Sequence, residues 1–175
     1  MDHTAVEIQW NQQTSNHVLL YTWSKLIQVY DAHTENVIQV YDEHIAAKTF
    51  LDWNPTNPKQ FVSGSNDCKV KIFSIDDQKC ILEFMRGQIE CVKYNPHNPM
   101  QIASCQRNND ISIWDMRKQN MPIFEFTAHI KSALYMDWHP TQPDVLMSGS
   151  QDNTIKVWDI KLLQNSKIFR PVYQI

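Results

Sequence analysis

Two aromatic positions recur along the chain in fixed phase, and they constrain its fold more than any other feature. The first series is Trp10, Trp53, Tyr94 and Trp138, at intervals of 43, 41 and 44 residues; the second is Tyr30, Phe73, Trp114 and Trp158, at the same three intervals. The first series sits in a shared short pattern: Gln9-Trp10-Asn11, Asp52-Trp53-Asn54-Pro55, Lys93-Tyr94-Asn95-Pro96 and Asp137-Trp138-His139-Pro140. Two landmarks that keep step through four units mark an internal repeat, and a period of about 40–45 residues suits a unit of four short strands. Val70-Lys71-Ile72 and Ile155-Lys156-Val157 carry the alternation of half-buried strands. Turn formers separate the strands: Asn-Pro after the first, and Asn66-Asp67 or Gln151-Asp152 after the second. In the second unit the strands are predicted at 48–53, 60–63, 69–73 and 79–84. No segment sustains a helical period, so the chain is predicted to be all-β.

Composition narrows the function. Apolar residues make up 42% and charged residues 20% of 175, the profile of a chain that buries a core. The net charge of -3 lacks the basic excess that neutralises phosphates, so no nucleic-acid partner is expected. The three glycines, Gly64, Gly87 and Gly149, cannot build a phosphate-cradling loop. Cys68, Cys80, Cys91 and Cys105 show no metal-ligand spacing and read as reduced thiols. No cofactor or metal is expected. The apolar runs are too short for an integral membrane segment, and the start has no positive, apolar leader pattern. The expected location is cytoplasmic, with attachment to an organelle membrane only through a complex.

His129, Ser148, Asp152 and Trp158 stand at successive offsets of 19, 4 and 6, and His44, Ser63, Asp67 and Phe73 repeat those offsets. Here the sequence resembles the WD-repeat family of β-propellers over nearly its whole length. The resemblance implies one propeller segment over 1–175 with about four blades of four antiparallel strands, open or partial. The repeats fall at about 4–42, 43–84, 85–127 and 128–169. It also implies that each tetrad is a buried chain of hydrogen bonds from Asp to His to Ser to the indole N–H. Buried carboxylate and imidazole groups need such partners, and when satisfied they hold one geometry. A hydrolytic Ser-His-Asp reading fails because the set occurs twice and no Gly-x-Ser-x-Gly elbow exists. Phe73 replaces the Trp of the second unit. The third unit keeps Ser104 and Trp114 but has Met85 and Asn108 for His and Asp, and the first keeps only Tyr30. The bonding is therefore expected whole in the fourth unit, partial in the second and absent from the others.

The stretch from Phe126-Thr127-Ala128-His129 through Trp138, with Ser150-Gln151-Asp152-Asn153 and Lys156-Val157-Trp158-Asp159, is similar to WD-repeat propellers of SEA/GATOR-type complexes. Asp52-Trp53-Asn54-Pro55-Thr56 is similar to the WD-repeat peroxisomal targeting-signal receptor. Trp114-Asp115-Met116-Arg117 fits the WDxR pattern of cullin-type ubiquitin ligase receptors, although an Arg after a strand end can equally be plain surface. These likenesses imply a non-catalytic scaffold for protein–protein interactions in a multisubunit complex. The alternative is a peptide or substrate receptor in a peroxisomal import or cullin-type ubiquitin ligase pathway. Carried over by position, the partner face holds Arg86, Gln88, Arg107, Ile130, Ser132 and Gln151, with Ile45, Ala47 and Asn66 from the second unit. Arg86 and Arg107 are expected to be free for a partner because their unit has lost its tetrad. The outer strand of the fourth unit is expected near 167–169, with Arg170-Pro171-Val172-Tyr173 leading onward. Four blades leave two apolar faces open, so a partner-completed propeller or part of a longer chain is favoured over a ring of four.

Overall fold

The computed structural model describes residues 5–14, 16–22, 24–46, 49–118, 121–165 and 170–175. It forms four antiparallel sheets, each a meander of four consecutive strands. Blade 1 is β1 (Ala5–Trp10), β2 (His17–Thr22), β3 (Ile27–Asp31) and β4 (Asn36–Tyr41). Blade 2 is β5 (Thr49–Trp53), β6 (Gln60–Ser65), β7 (Lys69–Ser74) and β8 (Lys79–Met85). Blade 3 is β9 (Ile89–Asn95), β10 (Asn98–Gln106), β11 (Asp110–Asp115) and β12 (Phe124–Thr127). Blade 4 is β13 (Ala133–Trp138), β14 (Val145–Ser150), β15 (Ile155–Asp159) and, after a short helix, β16 (Tyr173–Gln174). The first strands β1, β5, β9 and β13 lie side by side and carry the blade-to-blade contacts. The strands of the second unit match their predicted spans to within two residues, with Lys48 outside the described residues.

The core is divided among the junctions. Leu19 and Val29 pack on Leu51, Phe61 and Phe73 between blades 1 and 2. Val62, Val70 and Ile72 pack on Val92, Tyr94, Ile102 and Trp114 between blades 2 and 3. Ala103, Ile111 and Ile113 pack on Met136, Trp138, Leu146 and Trp158 between blades 3 and 4. Four blades with three apolar junctions form an arc that does not close. Gly64 answers a close approach at one junction, since a Cβ there would lie 2.5 Å from Ile89 Cγ2 and 3.3 Å from Val92 Cβ. Polar stitches repeat as well: Asn11, Asn54 and Asn95 donate their side-chain amides to Pro58, Pro99 and Pro143 carbonyls of the next blade.

The turn after the second strand of every blade passes through a left-handed residue: Lys25, Cys68, Asn109 and Asn153, with φ of 67°, 69°, 77° and 64°. Their spacing repeats the 43, 41 and 44 of the aromatic series. Asn accepts this conformation readily, whereas Lys and Cys carry its steric penalty of about 1–2 kcal/mol.

The end of the chain departs from expectation. Residues 160–165 form α1 (Ile160–Asn165), which turns Ile160 and Leu163 into the junction of blades 3 and 4. Asp159 Oδ1 accepts the Leu162 N–H at 2.9 Å and starts the helix. The predicted outer strand at 167–169 lies outside the described residues. The fourth strand is β16 instead, pairing Tyr173 and Gln174 with Val157 and Lys156. Tyr173 therefore completes blade 4 rather than leading away from it, because α1 delays the chain's return to the sheet.

Candidate functional site

The tetrads lie at the rim where the fourth strand of one blade passes to the first strand of the next. In blade 4, His129 Nδ1 is 3.0 Å from Asp152 Oδ2 and Nε2 is 2.8 Å from Ser148 Oγ, which also accepts the Trp158 indole N–H at 2.9 Å. Blade 2 repeats the first two links at 2.7 and 2.6 Å and ends at Ser63, as Phe73 has no N–H to give. Burial lowers the pKa of both imidazoles, against the pull of their carboxylates. Burial also opposes the charge of Asp152, but hydrogen bonds from Thr154, the Ile130 N–H and His129 outweigh it and hold that carboxyl well below its ordinary value.

Each Asp also accepts the backbone N–H after its His, from Ile45 or Ile130, at 3.2 Å in both blades. The network thereby fixes a loop that holds Ile45 80% and Ile130 82% exposed. An isoleucine held in water at the same place on two blades is a ready apolar contact for a partner.

Blade 3 corrects the expectation that its tetrad bonding is absent. Trp114 Nε1 still donates to Ser104 Oγ at 2.8 Å, while Met85 projects outward in place of the His. A different polar chain runs beside it: Gln106 Nε2 donates to Ser112 Oγ at 2.6 Å, and Ser112 Oγ donates to Glu125 Oε2 at 2.8 Å. Arg86 Nε closes this chain as a charge pair 3.1 Å from Glu125 Oε2, with its N–H not aligned as a hydrogen bond. Arg86 is thus committed inside its own blade and not free, as expected from the lost tetrad. In blades 2 and 4 the place of Ser112 is held by Lys71 and Lys156, which reach the Glu43 and Ala128 carbonyls.

The other predicted partner-face residues do come together. Arg107 Nη1 donates to Gln88 Oε1 at 3.0 Å, with Arg107 Nε 3.2 Å from Glu90 Oε1. Ser132 Oγ donates to the Arg107 carbonyl at 2.8 Å, and the Gln151 N–H donates to the Ser132 carbonyl at 3.1 Å. A belt of Gln88, Arg107, Ser132 and Gln151 therefore crosses from blade 3 to blade 4 beside Ile130. Ile45 and Asn66 lie on blade 2, and Ala47 is outside the described residues. Sequence reasoning did not single out the exposed Met85 as a rim contact, although its apolar side chain at a tetrad position was a usable signal.

Arg117 folds back onto Asp115, with Nε and Nη2 at 2.9 and 2.6 Å from the two carboxylate oxygens. That guanidinium holds the Asp115 carboxyl down at about 2. The WDxR arginine is thus paired locally at a strand end. Among the described residues, no helix is long and apolar enough to cross a membrane.

The family profile described as WD domain, G-beta repeat matches residues 24–74, 78–115 and 120–159. The chain is 31% identical over 155 residues to E3 ubiquitin-protein ligase COP1 of Arabidopsis thaliana, covering 88% of this chain and 23% of that protein. The COP1 of Pisum sativum is 31% identical over 164 residues, covering 93% and 24%. GATOR2 complex protein Wdr24 of Drosophila melanogaster is 28% identical over 165 residues, covering 91% and 21%. The chain spans about a quarter or less of the length of these curated relatives.

Proposed function

We propose, from the premise that this chain belongs to the WD domain, G-beta repeat family, that it is a non-catalytic scaffold holding a protein partner within a multisubunit complex. The observation that carries this reading is the Gln88–Arg107–Ser132–Gln151 belt beside the exposed Ile130. It joins a half-exposed guanidinium, amide groups and an apolar side chain on a rigid rim, the mixture found at interface hot spots. The partner offers hydrogen-bond acceptors to the part of the Arg107 guanidinium left exposed beside its Glu90 pair, and an apolar side chain to Ile130. The two Ser-His-Asp sets support a non-catalytic role: Ser63 and Ser148 are buried and committed to the network. Likeness to a GATOR2 complex protein supports membership of a complex; a cytoplasmic location is part of the same proposal.

The test is quantitative affinity purification of the wild-type chain against Arg107→Glu with Ile130→Asp, and against Lys161→Glu on the exposed side of α1. The double variant is expected to lose the proteins that the wild type and Lys161→Glu retain; because Arg107→Glu also sets a carboxylate against the buried Glu90, the single variant Ile130→Asp, with its melting temperature nearly unchanged, must show the same loss. Equal retention by all three chains rules out this belt as the docking site. A second reading, a receptor for a substrate segment in a ubiquitin ligase pathway, is supported by the likeness to the COP1 ligases. It requires ubiquitin-ligase subunits among the proteins that the double variant loses.

A further inference from the structure

Every blade sets one residue of its first strand directly opposite one of its second at the same rung: Glu7 with Tyr21, Phe50 with Gly64, Cys91 with Cys105, and Tyr135 with Gly149. Three of these rungs carry an aromatic ring, whereas blade 3 carries two thiols. Opposed residues of an antiparallel pair send their side chains to the same face, with Cα atoms about 4.5–5.5 Å apart. A disulfide spans Cα atoms about 4.4–6.8 Å apart, so this rung can take one without moving its strands. Cys68 and Cys80 have no such partner. Cys68 lies in the turn before β7 and donates to the Asn66 carbonyl, and Cys80 stands opposite Phe73.

Both thiols point across the junction of blades 3 and 4. The Cys91 S–H donates to the Met136 carbonyl at 3.7 Å and the Cys105 S–H to the Ala133 carbonyl at 3.4 Å, both on β13. Both cysteines are buried and unoxidised. Ala133 follows Ser132, whose hydroxyl holds the Arg107 carbonyl, and the Arg107 N–H donates to the Gln88 carbonyl at 2.9 Å. Only the Ile89–Gln106 rung separates the thiols from this part of the belt.

We propose that Cys91 and Cys105 are a redox site, which a small-molecule disulfide oxidises to a cross-strand bond that withdraws both thiols from blade 4 and loosens the belt. The chemistry is thiol–disulfide exchange. The Cys91 thiolate attacks one sulfur of the reagent, keeps that half as a mixed disulfide and releases the other half as a thiolate. Cys105 gives up its proton and displaces the bound half. Two protein thiols become one disulfide, and the disulfide of the reagent becomes two thiols. Cys91 is the attacking sulfur: the Cys105 S–H turns to its thiolate and lowers its pKa against the effect of burial. The reagent enters when the junction opens locally. Once the bond forms, the Ala133 and Met136 carbonyls lose their thiol donors, and β13 loses two polar ties to blade 3. Control of docking by this bond rests on the belt as the partner surface; the bond and the loosening do not.

The test treats the folded 175-residue chain with oxidised glutathione, alkylates the remaining thiols and maps the peptides without reduction. A Cys91–Cys105 link that a dithiol reductant reverses is expected. The Arg107 and Gln151 amides, which donate within the belt, should then exchange roughly threefold faster or more, with β5–β7 unchanged. The Cys91→Ala, Cys105→Ala variant, treated in the same way, should show no such change. Untouched thiols, glutathione adducts without the link, or a link that leaves Arg107 and Gln151 exchange unaltered overturn the proposal. So does equal acceleration in the variant. These readouts involve no partner, so their failure is distinct from failure of the belt as a docking surface.

Discussion

Asp152 gathers more bonds than any other tetrad member, accepting from His129, the Ile130 N–H and both the hydroxyl and the N–H of Thr154. Asp152→Ala leaves those buried donors without an acceptor and should lower stability by about 1–3 kcal/mol in denaturant titrations. Restoring the missing indole of blade 2 should not bring the reverse gain. Phe73 is fully buried, stacked on Phe61 at 4.9 Å and edge-on to Tyr41 at 4.9 Å. A Trp would add one hydrogen bond to Ser63, about 0.5–1.5 kcal/mol, but overpack the junction by about 1–3 kcal/mol. Phe73→Trp is therefore expected to destabilise by about 1 kcal/mol, and a rise in melting temperature would show that the junction has slack. The histidines also set a pH dependence. Their folded pKa values lie below the ordinary 6.5, so their contribution is complete above 6.5 and is lost as pH falls toward the folded values. Asp52 acts oppositely: burial raises its carboxyl from 3.8 to about 6, so its contribution is complete below 3.8 and is lost as pH rises through about 6. Asp52→Asn removes that offset and should steepen the fall in melting temperature between pH 6 and 4 relative to wild type. Equal slopes would mean that the Asp52 carboxyl titrates normally. The His, Ser, Asp and Trp offsets were legible in the sequence because each pair must bridge a fixed strand geometry. The Gln106–Ser112–Glu125–Arg86 chain was not legible, because its residues share no offset with another blade.

At the scale of strands and turns, period-two alternation located the sheets where a lysine interrupts the apolar residues, although Lys71 is itself buried between Val70 and Ile72 with its amine on the Glu43 carbonyl. Turn chemistry was less legible. Lys25 and Cys68 adopt left-handed backbone with no turn-forming side chain, since the hairpin imposes φ where the strands on both sides are already fixed. The helix α1 escaped notice because six residues with two buried apolar positions leave no measurable period. The glycines show how context decides the value of one residue type. Gly64→Ala forces a methyl onto Ile89 and Val92 and should destabilise by about 1–3 kcal/mol. Gly149→Ala meets open space, and removing glycine from a strand should stabilise by about 0.5–1 kcal/mol. Equal effects of the two substitutions on thermal melts would contradict the close approach at the second junction.

At the scale of the molecule, the number of blades was legible from the count of repeats, while the exposure of Trp10 and Met147 on the outer faces of blades 1 and 4 required the side chains. Stacked repeats gain stability from each unit and from each shared junction, so a blade with one neighbour opens more readily than a blade with two. Blades 2 and 3 have apolar junctions on both faces, whereas blades 1 and 4 each have one. Blade 4 adds a whole tetrad and α1, and blade 1 has neither. Hydrogen exchange of the dilute chain should therefore be fastest in β1–β4, slower in β13–β15 and slowest in β5–β7 and β9–β11. Blade 1 should be protected at least tenfold less than blades 2 and 3, a difference of about 1.4 kcal/mol. The ranking tests the number of junctions, because each blade is held chiefly through the apolar faces it shares. Uniform protection across the four blades would mean that shared faces do not set local stability, and that the strands of blade 1 are held by their own ladder hydrogen bonds alone.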